Sequence, residues 1–167
     1  MQWFIKGIKN YTVFKGRASR TEFWNFMLFW VIFYVFVVAI DKMLGGNYLN
    51  FENFPFSNYI PLAKLFDEVG LLTLMYRPLT LLPSLAAISR RLHDINKSGW
   101  FQFLPFPVGI LERVAATSSE SLEILFLIIG LGLYIYLFIL YCTDGDKKNN
   151  RFGKNIYLKK KKKGKNY

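Results

Sequence analysis

One cysteine, Cys142, and one histidine, His93, are all that the 167 residues contain of the side chains most used in metal and redox sites. A lone cysteine excludes an internal disulfide and a cysteine-based metal cluster. There is no pair of intramembrane carboxylates either, so neither a metal-ligand set nor a nucleophile with its base and orienter can be assembled. The expectation is a protein that is not an enzyme, with no catalytic residue, no metal and no cofactor. His93 and Asp94 are adjacent, about 100° apart on a helix, and do not make a ready dyad. Acids are scarce: 11 Asp and Glu stand against 22 Lys and Arg, for a net charge of +11. The N-terminus lacks an apolar run of signal-peptide length, which argues against a cleaved signal.

Apolar residues are abundant: 53% of the chain is hydrophobic and 19% aromatic. A soluble domain seldom combines this with such a charge, and here the two are segregated along the chain. Long apolar runs alternate with short charged ones, the layout of a multi-pass membrane protein. The predicted fold class is all-α, an integral membrane protein with a four-helix transmembrane bundle in residues 1–158.

Within Met1 to Phe14, Trp3, Phe4, Ile8 and Tyr11 recur near helical spacing with Lys6 and Lys9 between them. This reads as a short interfacial helix, or more plainly as an aromatic-rich leader. Ser19 and Glu22 fit a capping box, so a helix should start at Arg20. Residues 23–40 form the first span, ended by Asp41 and Lys42 and broken at Gly45-Gly46-Asn47. The loop from Asn47 to Glu68 is aromatic but polar, with Pro55 and Pro61.

The second span, 69–88, carries Arg77 near its centre, followed by Pro78 and Pro83. A charge there costs about 2.5–3.5 kcal/mol on insertion scales. Arg77 therefore either serves a functional site facing protein or water, or pairs with a carboxylate or carbonyl elsewhere in the bundle, or lies shallower than counted because the segment is tilted. Residues 100–116, interrupted by Pro105, Pro107 and Gly109, have the length of a re-entrant segment or of a very short third span, and the count of positive charges favours the span. The fourth, 124–142, is clean, with Gly130 and Gly132 leaving room for close helix approach.

Basic residues number five before Phe23, three in Arg90 to Trp100 and ten after Cys142. The positive-inside rule then places both termini and the central hairpin in the cytoplasm, which requires an even number of crossings. After the turn at Asp144-Gly145-Asp146, the chain ends in a lysine-rich tail, 159–167, expected to be disordered. Such a tail either attracts anionic lipid or is simply solvated; specific nucleic-acid binding is not expected, since nothing in the chain reads bases.

The densest polar stretch is RRLHDINKSGW, Arg90 to Trp100. Arg90, Arg91 and Lys97 suit headgroup depth, and Trp100 suits the point where the chain re-enters the bilayer. His93 could bond a backbone carbonyl, Asp94 could pair Arg91 or Arg17, and Ser98 with Gly99 makes a turn.

GRASRTEFW at Gly16 to Trp24, RRLHDINKSGW and NNRFG at Asn149 to Gly153 stand in the order seen in the domain-of-unknown-function 805 family, which this sequence resembles over nearly its whole length. The resemblance implies an integral protein of the bacterial inner (plasma) membrane, with the three motifs on the cytoplasmic side and no established activity. Two features depart from the family's pattern: the polar stretch Glu112 to Glu123, which divides the last apolar region, and Arg77.

The functional expectation is binding of anionic phospholipid, or docking of a membrane-protein partner or a second copy, through Arg17, Arg20, Arg90, Arg91, His93, Asp94, Lys97, Ser98 and Trp100. Arginine would grip phosphate in bidentate fashion where lysine offers a point charge. The alternative is a small transporter or channel subunit built around Arg77 in its proline-broken helix.

Overall fold

A computed structural model describes residues 2–45 and 70–157. The polar loop 47–68, the first residue of the expected second span and the lysine-rich tail 159–167 lie outside the described residues. Among the described residues the fold is all-helical, without strands. Its elements are α1 (Gln2–Lys9), α2 (Arg20–Met43), α3 (Leu71–Asp94), a 3-10 turn (Gly99–Phe103), α4 (Pro105–Ala116) and α5 (Glu120–Cys142).

Three of these, α2, α3 and α5, are long and apolar enough to cross a membrane. Each overlaps an expected span and runs past it into polar sequence. α2 starts at Arg20 because the Ser19 hydroxyl accepts the Glu22 amide at 3.2 Å, an N-cap in the expected place. The second half of the expected capping box is diverted: the Glu22 carboxylate meets Lys6 Nζ at 2.5 Å. α4 has Pro at its first position, where the missing N–H costs nothing. Its 12 residues rise about 18 Å, less than a bilayer core.

The described residues group into two compact units, 2–29 with 81–102 and 137–157, and 30–45 with 70–80 and 103–136. In the first, α1 lies against the start of α2. Phe4 stacks on Phe26 with centroids 5.7 Å apart, and Gly7 is in contact with the same ring, where any Cβ would overlap it. The apolar centre of this unit is Leu92, Leu137 and Leu140, flanked by Ile88, Ile95, Phe101 and Tyr141.

In the second unit, Asp41 does more than end α2. Its carboxylate accepts the amides of Leu72 at 3.1 Å and Thr73 at 2.7 Å and the Thr73 hydroxyl at 2.5 Å. A carboxylate from one helix thus caps the N-terminus of the next, where orphan N–H groups and the helix dipole both favour it. Asp41→Ala is expected to destabilise the protein by about 1–2 kcal/mol, read as a lower melting temperature in detergent; an unchanged melt would remove Asp41 from this role. Arg77 also finds a partner within the unit: its guanidinium donates to the Tyr34 hydroxyl at 2.7 Å and lies 5.6 Å from that ring's centroid. This contact to a phenol was not among the partners expected for it. Tyr34 in turn stacks on Trp30, and Tyr76 donates to the Trp30 carbonyl at 2.8 Å. A Cβ at Gly130 would meet Val108 at 3.8 Å, an ordinary contact, and Gly132 has nothing within 4 Å of its Cβ position, so among the described residues neither glycine serves the close helix approach expected there.

Candidate functional site

The polar stretch after Arg90 is not a free loop. Arg90 to Asp94 are the last turn of α3, which ends in a six-residue cap: Lys97 N–H donates to Leu92 O at 2.9 Å and Asn96 N–H to His93 O at 3.1 Å. Asn96 takes the left-handed conformation, φ 58°, that such a cap requires and asparagine tolerates. Ser98 then starts the 3-10 turn by accepting the Phe101 amide at 3.2 Å on its carbonyl. Trp100 stands out from the surface, 78% exposed.

Asp94 is fully buried and is the hub of the first unit. Its carboxylate accepts Arg17 Nε at 2.9 Å, an Arg91 terminal nitrogen at 2.7 Å and the Tyr157 hydroxyl at 2.6 Å. Both arginines anticipated as its partners are therefore present at once. Their remaining donors also point inward. Arg17 reaches the carbonyls of Lys148, at 2.8 Å, and of Asp146. Arg91 reaches those of Tyr141, at 3.0 Å, and of Thr143. Arg20 adds a bond to Cys142 O at 3.0 Å.

Two guanidiniums against one carboxylate would leave a surplus charge, and buried charges must be compensated. The surplus is met by the C-terminal ends of α3 and α5, each equivalent to about half a negative charge. Arg91 caps the end of α5, while Arg17 lies at the end of α3. The cluster is thus a staple joining two helix C-termini, and Arg17, Arg91 and Asp94, proposed from sequence for ligand contact, have their donors and acceptors engaged inside the protein. Arg90 is also buried; its Nε has no hydrogen-bond partner among the described residues, and Glu22 supplies the nearby opposite charge.

Residues 143–157 form a strap across this staple. The Asp146 amide donates to Asp94 O at 2.8 Å, the Asn150 side chain to His93 O at 2.9 Å and Arg151 to Asn96 O at 3.2 Å, which satisfies carbonyls that the end of α3 leaves open. His93 bonds Gly16 O through Nδ1 at 3.1 Å and stacks on Phe152, ring centroids 3.9 Å apart. Sequence reading missed Asn150, Phe152 and Tyr157 as members of the site; the NNRFG motif was the available signal, and nothing local says what it touches.

Burial, and then the hydrogen bond to Asp94, push the Tyr157 hydroxyl up to about 12. Only the neutral phenol can donate to the carboxylate. The contribution of this bond to stability is therefore complete below the ordinary tyrosine value near 10 and is lost as pH rises from there towards about 12. Tyr157→Phe is expected to cost about 1–2 kcal/mol at neutral pH and to reduce the loss of stability across that alkaline window; a melt identical to wild type at both pH values would refute it.

Beside the staple is a cavity of about 230 Å³ bordered by Lys6, Arg20, Thr21, Glu22, Asp144 and Tyr157, with the locked Arg17 in its wall. Arg20 and Asp144 pair at 2.5 Å across exposed side chains, and Lys6 pairs with the buried Glu22. Lys97 lies 5.5 Å from the Phe101 ring centroid, and Lys147, Lys148, Arg151 and Lys154 are exposed along the strap. Among the described residues no group of three or more His, Cys, Asp or Glu side chains is placed to hold a metal ion.

The family described as "Protein of unknown function (DUF805)" matches residues 11–154. Inner membrane protein YhaH of Escherichia coli (strain K12) is 32% identical over 92% of this chain and 94% of its own length. Inner membrane protein YhaI of the same strain is 29% identical over 92% and 93%. No solved structure matches. With three membrane-capable helices and inner-membrane relatives, the protein is a transmembrane protein of the bacterial inner membrane. The arginine-aspartate staple and its strap lie almost wholly within the matched region, and the chain belongs to the DUF805 family of proteins of unknown function.

Proposed function

We propose that the protein is a non-enzymatic, four-pass membrane protein whose cytoplasmic module, the staple and its strap, recognises anionic phospholipid at the membrane surface. The positive-inside count supports the topology: both termini and the turn after α3 carry the basic residues, which calls for an even number of crossings, and the short segment 100–116 would supply the remaining one if the 3-10 turn adds its rise of about 10 Å to that of α4. The observation that carries the binding role is a division of labour among the cations. Arg17 and Arg91 are spent on Asp94 and on helix ends, whereas Lys147, Lys148, Arg151 and Lys154 are exposed on the strap that those arginines hold in place. Trp100, exposed on the same unit, suits the interface.

A basic residue near an anionic leaflet contributes about 1 kcal/mol. Neutralising three, in Lys148→Gln/Arg151→Gln/Lys154→Gln, is expected to cut the phosphatidylglycerol retained by the gently extracted protein by more than tenfold, counted by native mass spectrometry, with the melting temperature little changed. Equal retention in wild type and variant would end this reading.

A further inference from the structure

The cavity beside α2 differs from the strap in its charge pattern. Its wall charges come in opposite pairs, Arg20 with Asp144 and Lys6 with Glu22, and Arg17 is spent on Asp94, so an anion finds each cation of the wall already paired. Any purely anionic headgroup that took Arg20 would leave Asp144 unpaired and face Glu22 as well. A ligand carrying both signs has no such cost. Its phosphate can replace the Asp144 carboxylate on Arg20 while its ammonium takes the carboxylate so released, and every charge stays paired.

The Arg20–Asp144 pair is suited to such an exchange. Its side chains are 48% and 74% exposed, and exposed pairs contribute little to stability. The Lys6–Glu22 pair, with Glu22 buried, keeps the inner wall in place. The cavity also opens towards apolar surface. A second, more open cleft of about 320 Å³ shares Arg20 and Thr21 with it and is lined further by Trp24 and Cys142. Trp24 meets the exposed Phe138 edge to face, centroids 5.7 Å apart. A ligand with its head in the cavity would therefore direct its tail along α2 and α5 where they are apolar, which selects an amphiphile over a water-soluble phosphate ester.

We infer that this cavity is a specific site for one aminophospholipid, its phosphate on Arg20 and its primary ammonium on Asp144. The inference rests on the placement of this module at headgroup level and adds a stoichiometric site to the diffuse attraction of the strap. The ammonium must carry N–H groups to bond a carboxylate, so a quaternary choline head is a poor substitute.

The test is native mass spectrometry of the full-length protein released from nanodiscs containing equal parts of dioleoyl phosphatidylethanolamine, phosphatidylglycerol and phosphatidylcholine. One tightly held phosphatidylethanolamine is expected, favoured about tenfold over phosphatidylcholine, as one charge-assisted hydrogen bond supports. It should persist in the strap triple variant, lose its preference over phosphatidylcholine in Asp144→Asn, and be lost in Arg20→Gln. Both altered side chains are exposed, and matching melting temperatures would show that the variants fold. Retention of phosphatidylglycerol without phosphatidylethanolamine would overturn the inference and leave the strap reading standing; loss of both lipids from wild type would overturn both. Phosphatidylethanolamine held equally by wild type, Asp144→Asn and Arg20→Gln would refute this site. Displacement of the lipid by soluble phosphoethanolamine at equal concentration would show that the apolar cleft takes no part and would overturn the assignment to a lipid.

Discussion

Asp94→Asn should produce the larger of the two strongest effects expected for this protein, a destabilisation of about 3–5 kcal/mol, because it leaves two buried guanidiniums without their shared carboxylate. The side chains of Arg17, Arg91 and Asp94 are all 1% exposed or less, so water cannot screen what remains. The change is nearly isosteric, and the loss can therefore be assigned to charge rather than to a cavity. In detergent the variant should melt well below wild type or fail to yield a monodisperse peak. The double variant Arg17→Met/Asp94→Asn should lose less than the sum of the two single changes, since the partners act as a unit. A melt equal to wild type, or strict additivity, would show that the cluster is not the staple described here.

Gly145→Ala should open the strap. A Cβ at this position would overlap the Asp94 carboxylate and the Tyr157 hydroxyl, and neither can retreat without giving up its bond to the other. The added methyl must displace backbone, at about 1–3 kcal/mol. Hydrogen exchange should accelerate at the Asp146 amide, which donates to Asp94 O, and at the Asn155 amide, which donates to the Asn149 side chain. Gly132→Ala is the control: with no atom of the described residues within 4 Å of its Cβ position, alanine should be neutral or gain up to about 1 kcal/mol. Unchanged exchange in Gly145→Ala would mean that the strap is not held by this contact.

Much of the helical layout was legible without coordinates. The first long helix begins where Ser19 calls for it, and its apolar run is long enough to cross a bilayer whatever its neighbours do. The short helix α1 was also readable from its alternation of aromatics and lysines, although it is shorter than the stretch suggested. The cap of α3 by Asp41 could not be read in the same way, because its donors lie some thirty residues further on in the sequence. NNRFG illustrates a further limit. Its presence marked the family, but its tasks, Asn150 on His93 O and Phe152 on the imidazole, join segments more than fifty residues apart.

By itself, the sequence determined that this is a membrane protein, where its long apolar helices lie and how its positive charge is distributed, because apolar run length and charge placement are local properties of the chain. Only the tertiary structure decided which cations are available. Arg17, Arg91, Lys148 and Arg151 look interchangeable along the chain, yet the first two are consumed by Asp94 and by the carbonyls of two helix ends, and the last two remain exposed. The physical reason is that a helix C-terminus acquires its claim on a cation only when folding brings one within reach of its open carbonyls.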